Sequence, residues 1–331
     1  MHYAQPSPRF AIGHYIGHAI FAMFLILFIL WTGTALSVHL SDLTLHTAWA
    51  VLSIGTISTL LLRWRIPRAG WIALLCMFLA TATWYQTIRP SDDRIWAFDV
   101  AQGVKARVDG DIVHLDDVRD FTWKSETTAA RDWENRSYDL TKLASVDMIT
   151  SVWDNPDIAH LLVSFGFSDG EQVVFSVETR REEHETFNAM GGFFRQFELI
   201  LIAASEEDII KLRTNHRKED VRLYPVNLNA TQRRDLFMSY VNLAQQLENR
   251  PAFYNTLTAN CTTSVYKLAQ IVEPNIRPDW RVLLSGHLPD YIDAMGGFAD
   301  DVPVETRMQN AAITAKAQIY DGSSFSSAIR K

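Results

Sequence analysis

A cysteine at the predicted start of a helix is the residue best suited to covalent chemistry. Cys261 lies in TANCTTSVYKL (258–268), where a turn-forming run precedes a helical pattern. The free N–H groups and the positive end of the helix dipole favour a thiolate at this position. Asn260 is a good N-cap residue, and Asn260 and Thr262 would shape an oxyanion site. The same pattern is typical of a small buried structural cysteine, so both interpretations stay open.

A thiolate nucleophile needs a base held beside it, and histidine is the usual one. Of the histidines after residue 90, His160 is the candidate, because it begins an otherwise apolar strand, AHLLVSFGF. The other four have polar or loop-like surroundings. The alternative is a histidine that is simply hydrogen-bonded at a strand end. Five histidines follow the first ninety residues: His114, His160, His184, His216 and His287.

The hairpin that follows His160 decides which residue faces it. If Asp169-Gly170 is a two-residue turn, Thr179 lies opposite His160. A three-residue loop or a bulge places Glu178 there instead, and Glu178 would then orient the imidazole as a third catalytic residue. Sequence alone does not settle the register. Arg180 could pair with Glu178 or bind an anionic head group.

Further candidates are weaker. Tyr254, in the run that leads to Cys261, is a possible substrate contact, and the residues from Arg181 onward resemble a solvated charge cluster. His14 and His18 in GHYIGH could hold haem or a metal, although a helix interface through the neighbouring glycines explains them better. We find no zinc-site spacing and no phosphate loop, so no metal and no cofactor is predicted.

Charge is distributed unevenly along the 331 residues. The first ninety contain five arginines and one aspartate, which leaves 26 basic and 37 acidic residues afterwards, a net charge of −11. Three apolar stretches at about 17–40, 43–62 and 69–88 are long enough to cross a bilayer of roughly 30 Å. The sequence therefore predicts three transmembrane helices and an acidic globular part, which argues against nucleic acid as a partner.

Arginines predict the orientation of the three spans. The loop RWRIPR (63–68) carries three of them, whereas the loop around Asp42 carries none. The positive-inside rule then predicts a cytoplasmic N-terminus and a periplasmic C-terminal domain, in a multi-pass protein of a bacterial inner membrane. The first apolar run is too long for a cleaved signal peptide. Cys76 lies in a predicted span, so a disulfide with Cys261 is implausible, and a free thiol is unusual in an oxidising compartment.

The order of elements predicts four segments. They are a membrane domain (1–90), a linker (91–104), a globular domain (105–312) and a polar tail (313–331) that we expect to be poorly ordered. Strands come first in the catalytic domain, among them the apolar run FELILIAAS (197–205), and helices follow at about 231–249 and 261–272. This arrangement predicts an α+β domain.

Several blocks resemble one family in order: IAHLLVSFGFSDGEQVVFSVETRREEHE, GGFFRQFELILIAASEEDIIKLRTNHRKEDVRLYPV and RPAFYNTLTANCTTSV. Over roughly 99–301 the chain resembles the DUF4105 family, the periplasmic domain of Lnb-type lipoprotein N-acyltransferases. The resemblance implies a circularly permuted papain-like (NlpC/P60-related) thiol fold, with Cys261 as nucleophile and His160 as base. One difference is that Lnb-type membrane helices follow this domain, whereas the three predicted spans precede it.

The expected function is that of a membrane-tethered cysteine acyltransferase. Cys261 would take an acyl group from a phospholipid or lipoprotein as a thioester and pass it to an amine, that of a lipoprotein's N-terminal cysteine. The partners implied are the acyl donor, the lipoprotein acceptor and the membrane. One alternative is a papain-like hydrolase of peptidoglycan peptides or another amide or ester. A second is a non-enzymatic envelope interaction module.

Overall fold

The chain forms two compact units, Met1–Arg89 and Pro90–Lys331, which are described separately. The computed structural model describes residues 8–298, 302–320, 322 and 324–331, with side chains from residue 15 onward. The first unit consists of three long helices, α1 (Pro8–His39), α2 (Asp42–Arg65) and α3 (Pro67–Thr87). By length and composition, all three are able to cross a membrane.

The three helices expose most of their large apolar side chains. A narrow seam is buried between them, with Phe21, Leu25 and Leu52 in it, whereas residues such as Leu27 and Ile54 are more than half exposed. A surface of this kind suits lipid and not water. The predicted metal alternative for GHYIGH stays a prediction, because the His14 side chain lies outside the described residues.

The second unit is built on a mixed sheet. The strands of this unit are β1 (Lys105–Asp109), β2 (Ile112–Arg119), β3 (Thr122–Ser125), β4 (Thr128–Ala130), β5 (Trp133–Asp139), β6 (Leu143–Val152), β7 (His160–Phe167), β8 (Gln172–Arg180), β9 (Glu198–Ala204), β10 (Asp220–Pro225) and β11 (Ala252–Phe253). The mixed sheet follows the order β1-β2-β9-β8-β7-β6-β10, with β5 beside β2 and β11 beside β9, whereas β3 and β4 form a separate two-stranded sheet. The β2–β9 pair is parallel and the other pairs are antiparallel.

Helices cover both faces of this sheet. They are α4 (Ala189–Phe193), α5 (Glu206–Lys211), α6 (Ala230–Asn249), α7 (Cys261–Val272), α8 (Leu288–Ala294), α9 (Val304–Asn310), α10 (Thr314–Ile319) and α11 (Phe325–Ile329). One face packs against α6 and α7, where the rings of Phe165 and Phe237 meet edge to face at 5.0 Å. The other face packs against α5, α10 and α11. Three apolar helices followed by an α+β domain agree with the sequence prediction at this level.

The register of the β7–β8 hairpin differs from the simpler of its two predicted forms. Leu162 pairs with Ser176 and Gly166 with Gln172. The loop therefore has three residues, 168–170, and Gly170 adopts a φ of +95°, which a residue without Cβ tolerates. Continued by two residues, this register places Glu178 opposite His160. The two-residue turn that would have put Thr179 there is wrong.

The predicted linker is part of the globular unit. Residues 91–104 include buried Ala97, Val100 and Val104, and the Ala97 N–H donates to the carbonyl of Arg181 (3.0 Å). These apolar side chains recur every three or four residues, and their burial holds the segment against the sheet. The globular unit thus begins near residue 90 and not at 105.

The predicted disordered tail is docked on the sheet instead. Ile313, Ala317, Phe325 and Ile329 are buried in one cluster with α5 and the sheet. Arg330 donates to Asp147 (2.6 Å) and to Glu206 (2.5 Å), two carboxylates that are almost completely buried. The serine-rich composition of the tail suggested disorder. The tail is ordered instead, because its apolar residues at helical spacing are buried and Arg330 joins a buried ion cluster. Residues 321 and 323 lie outside the described part of the chain.

We expect Arg330→Gln to lower the free energy of unfolding by about 3 kcal/mol, because it leaves two buried carboxylates without their cation. Arg107→Gln is the matched control, since Arg107 is 72% exposed and pairs with Asp116 at the surface; surface pairs contribute about 1 kcal/mol or less. Denaturant titration of the full chain in detergent measures both. Equal effects of the two substitutions would contradict a stabilising role for the ion cluster.

Candidate active site

Cys261 is the first residue of α7, and Asn260 caps that helix. The Asn260 side-chain oxygen accepts from the N–H groups of Thr262 (3.0 Å) and Thr263 (2.8 Å), and its amide nitrogen donates to the carbonyl of Thr256 (2.7 Å). Among the described residues no acceptor takes the Cys261 N–H. Asn260 and the Thr262 N–H therefore shape the helix start, and the Cys261 N–H is the first-turn donor left for an oxyanion.

The Cys261 thiol meets the start of strand β7. The His160 ring and the Leu161 N–H both lie close enough to this sulfur to lower the pKa of the thiol. The Thr262 hydroxyl lies 3.7 Å from the sulfur. The His160 Nε2 atom contacts Ser176 and Glu178 on β8, so Nδ1 is the ring nitrogen that is available to the thiol. These contacts bring together two residues that are about a hundred positions apart in the chain.

The other ring nitrogen of His160 is held by a carboxylate and a hydroxyl. His160 Nε2 lies 2.7 Å from the Ser176 hydroxyl and 3.1 Å from a Glu178 carboxylate oxygen. The Ser176 hydroxyl donates to the same Glu178 oxygen (2.7 Å), and the buried Arg213 donates to it as well (3.0 Å). Glu178 is thus fixed by two donors and by its ion pair with His160, and it fixes the orientation of the imidazole.

The groups around Cys261 and His160 favour the thiolate and the imidazolium over the neutral thiol and imidazole. Burial lowers the pKa of His160, but the Glu178 carboxylate and the Cys261 sulfur outweigh it and raise the pKa to about 9. Burial raises the pKa of Cys261, yet the His160 imidazolium, the Leu161 N–H and the Thr262 hydroxyl bring it below its ordinary value. A thiolate beside an imidazolium is the nucleophile of cysteine-dependent acyl transfer and hydrolysis.

Burial also acts on the Glu178 carboxyl, whose pKa it raises. The His160 imidazolium, Arg213 and Ser176 outweigh that effect and hold the pKa well below its ordinary value. Glu178 therefore stays ionised and acts as an acceptor only. It suits an orienting role and not that of a proton donor.

Cys261, His160 and Glu178 line a cleft of about 750 Å³. The cleft has an apolar rim, because several of its large apolar side chains are 38–51% exposed: Trp153, Phe187, Leu257, Leu283 and Leu284. Arg181, Arg213 and Arg217 also line it, together with the carboxylates of Asp99 and Glu219. The cleft thus offers an apolar rim and a charged wall to a substrate. Within the described residues, no group of three or more His, Cys, Asp or Glu could hold a metal ion.

The two predicted substrate contacts are placed differently. Tyr254 lines the Cys261 cleft, and burial together with the Cys261 sulfur raises the pKa of its phenol. Arg180 does not line the cleft, and its contact with a substrate or an anionic head group stays a prediction. Its guanidinium donates to Asp92 (2.6 Å) and to the carbonyls of Val100 and Ala101, which hold it elsewhere.

Three groups of the site were not predicted from the sequence. They are Ser176, Arg213 and the N–H of Leu161. Ser176 is the one hydroxyl in the apolar run VVFSV and lies two residues before Glu178, on the same side of the strand. Arg213 lies in a π-helical turn (Leu212–His216) after α5, and such turns are often found at functional sites. No signal in the sequence indicates the Leu161 N–H.

Residues 129–286 match the family model of the Lnb N-terminal periplasmic domain. This stretch is similar to an Lnb-type periplasmic domain. The matched stretch of this Lnb-type domain contains His160, Glu178 and Cys261, and the resemblance noted in the sequence is confirmed. Together with three helices able to cross a membrane, it indicates a membrane protein with a periplasmic domain. No curated protein and no solved structure matches the chain.

We expect Glu178→Gln to lower the pKa of His160 from about 9 toward or below its ordinary 6.5, because the carboxylate is the largest influence that raises it. Imidazole NMR titration of histidine-labelled protein measures the change, with the His160 signal assigned by its loss in His160→Gln. Glu126→Gln, on the exposed β3–β4 hairpin, is the matched control. A His160 midpoint that stays near 9 in Glu178→Gln would refute the coupling.

Proposed function

We propose that the protein is a membrane-tethered cysteine acyltransferase in which Cys261 carries the acyl group as a thioester. The arrangement of Cys261, His160 and Glu178 in one cleft is the observation that carries this proposal. Papain-like thiol enzymes need a thiolate, an imidazolium and an orienting group within contact of one another. The histidine strand precedes the cysteine helix, which agrees with a circularly permuted papain-like fold.

The first half-reaction forms the thioester. The Cys261 thiolate attacks the carbonyl carbon of a lipid ester, and the Cys261 N–H with the positive end of α7 stabilises the oxyanion. The C–S bond forms as the ester C–O bond breaks. The His160 imidazolium gives its proton to the departing alkoxide, which leaves as an alcohol.

The second half-reaction uses the same residues in reverse. The acceptor amine attacks the thioester carbonyl while neutral His160 takes the amine proton. The C–N bond forms, the C–S bond breaks, and the thiolate–imidazolium pair returns. Glu178 stays ionised throughout and stabilises the imidazolium. A lipoprotein with an N-terminal cysteine is the acceptor that the family relationship supports.

The apolar rim favours a lipid donor over a peptidoglycan peptide. Exposed Trp153, Phe187 and Leu257 border the cleft, and such side chains suit the interface of a bilayer. An enzyme tethered in the membrane also meets a lipid substrate at high effective concentration.

We further infer that the 63–68 loop, with its three arginines, lies in the cytoplasm of a bacterial cell and that the globular unit is periplasmic.

Depletion of the protein in cells tests the transferase proposal. We expect the N-terminal peptides of lipoproteins to lose their N-acyl group, as measured by mass spectrometry, and a plasmid copy to restore it. A Cys261→Ala copy should fail to restore it. Lipoproteins that stay equally N-acylated after depletion would refute the transferase. Release of peptidoglycan fragments by the purified chain would then identify the hydrolase.

A further inference from the structure

A second cavity lies behind the Cys261 helix. It has a volume of about 290 Å³ and is enclosed by α6, α7, α8, the segment 226–228 and the ends of β6 and β7. Its inner wall is apolar and buried, with Met148, Leu161 and Leu236 in it. Its exposed end includes Asn227, Glu273 and Met295. The cavity thus runs from the protein interior to the surface.

One face of α7 forms the longest wall of this cavity. The wall residues recur every three or four positions: Thr262, Val265, Tyr266, Ala269 and Val272. Residues at this spacing lie on one side of a helix and normally pack tightly against a sheet. Here several of them contact the core clusters but all also border a cavity, although complete packing would have stabilised the fold further. A void kept under an amphipathic helix indicates a binding site.

This cavity and the Cys261 cleft share a lining residue next to the nucleophile. Thr262 borders both the cavity and the Cys261 cleft, and its hydroxyl contacts the Cys261 sulfur. Leu161 also lines the cavity, and its N–H is one of the groups that lower the pKa of the Cys261 thiol. A group bound at Cys261 is therefore one residue away from a continuous apolar space.

The chemistry of the walls selects the occupant. A peptide would bring backbone N–H and carbonyl groups into a space whose inner wall has few partners for them, and burying them there costs free energy. Water is also poorly held by an apolar cavity. A linear hydrocarbon chain needs no hydrogen bonds and fills a narrow space between a helix and a sheet.

We propose that this cavity binds the acyl chain of the lipid donor. The ester carbonyl then lies at Cys261 and the chain passes Thr262 into the space between α7 and the sheet, with its methyl end toward α8. The site rests on the proposed acyl transfer, because it assumes that Cys261 reacts with a lipid ester. It assigns chain recognition to a place apart from the apolar rim of the cleft.

Photolabelling tests this site without relying on turnover. Full-length Cys261→Ala protein in nanodiscs is irradiated with a phosphatidylglycerol whose palmitoyl chain carries a diazirine near its methyl end. We expect adducts on 261–272 and 288–297, besides those on the membrane helices, which serve as the internal reference. Ala269→Phe fills the cavity and should lower the α7–α8 adducts about tenfold, equivalent to roughly 1.4 kcal/mol of binding, with the membrane-helix adducts unchanged.

A second variant distinguishes a filled cavity from misfolding of Ala269→Phe. Met295 is 44% exposed at the cavity mouth, so Met295→Trp should fold and still lower the α7–α8 adducts. Ile319→Trp, at a site 84% exposed and outside the cavity, should not. Adducts confined to the membrane helices, or α7–α8 adducts that both cavity variants retain, would overturn the site. Chain binding without any acyl transfer by the unmodified enzyme would support the site while refuting the proposed function.

Discussion

Cys261→Ala is expected to abolish both acyl transfer and the acyl adduct on the purified chain. The thiolate is the atom that forms the intermediate, so turnover should fall on the order of 10³-fold or more. Intact-mass spectrometry of protein isolated from membranes measures the adduct directly. The helix start itself should survive, because Asn260 and Thr263 form the capping box without help from the sulfur.

Cys76→Ala is the matched control for this loss. Cys76 is the other cysteine of the chain and lies in α3, exposed on a helix able to cross a membrane. We expect its replacement to leave the adduct and the turnover unchanged. An adduct that persists in Cys261→Ala but disappears in Cys76→Ala would move the nucleophile out of the Lnb-type domain altogether.

His160→Ala is expected to have the second largest effect. General acid–base catalysis contributes about 10²- to 10⁴-fold to rates, so acyl transfer should fall by that factor. The pKa of Cys261 should also rise, because burial raises it and His160 is the strongest influence that lowers it. At neutral pH the thiolate fraction then falls, and alkylation by iodoacetamide should slow by about tenfold or more.

The alkylation rate is measured from pH 5 to 10 in a Cys76→Ser background, where Cys261 is the single thiol. In the unmodified site we expect thiolate reactivity to appear below the ordinary thiol pKa, and in His160→Ala only above it. His184→Ala is the matched control, because His184 is 78% exposed and lies outside the cleft. Overlapping pH profiles for His160→Ala and the control would exclude an ion pair.

The sequence predicted the local features of the site well. Asn260 caps a helix that starts at Cys261, as the NCTT run indicated, and His160 begins the strand that the alternating and apolar pattern located. Caps, apolar periodicity and turn residues act over a few positions, so a single sequence contains them.

The predictions that failed depend on contacts between distant segments. Composition suggested a free linker before the globular domain and a disordered tail after it. Val100 and Phe325 instead pack into the same cluster on one face of the sheet. Arg180 was a candidate partner of Glu178, but its guanidinium pairs with Asp92, and Arg213 pairs with Glu178 instead. No local pattern predicts which of several arginines a distant carboxylate holds.

By itself, the sequence determined three helices that suit a membrane, a strand that begins at His160 and a helix that begins at Cys261. Only the tertiary structure decided that these two residues meet and that Glu178, not Thr179, faces the imidazole. The difference between the two registers is one residue in the loop at Gly170, and a shift of one residue turns every side chain of a strand to the other face. The same fold places Ser176 and Arg213 on Glu178 and opens an apolar cavity behind Thr262.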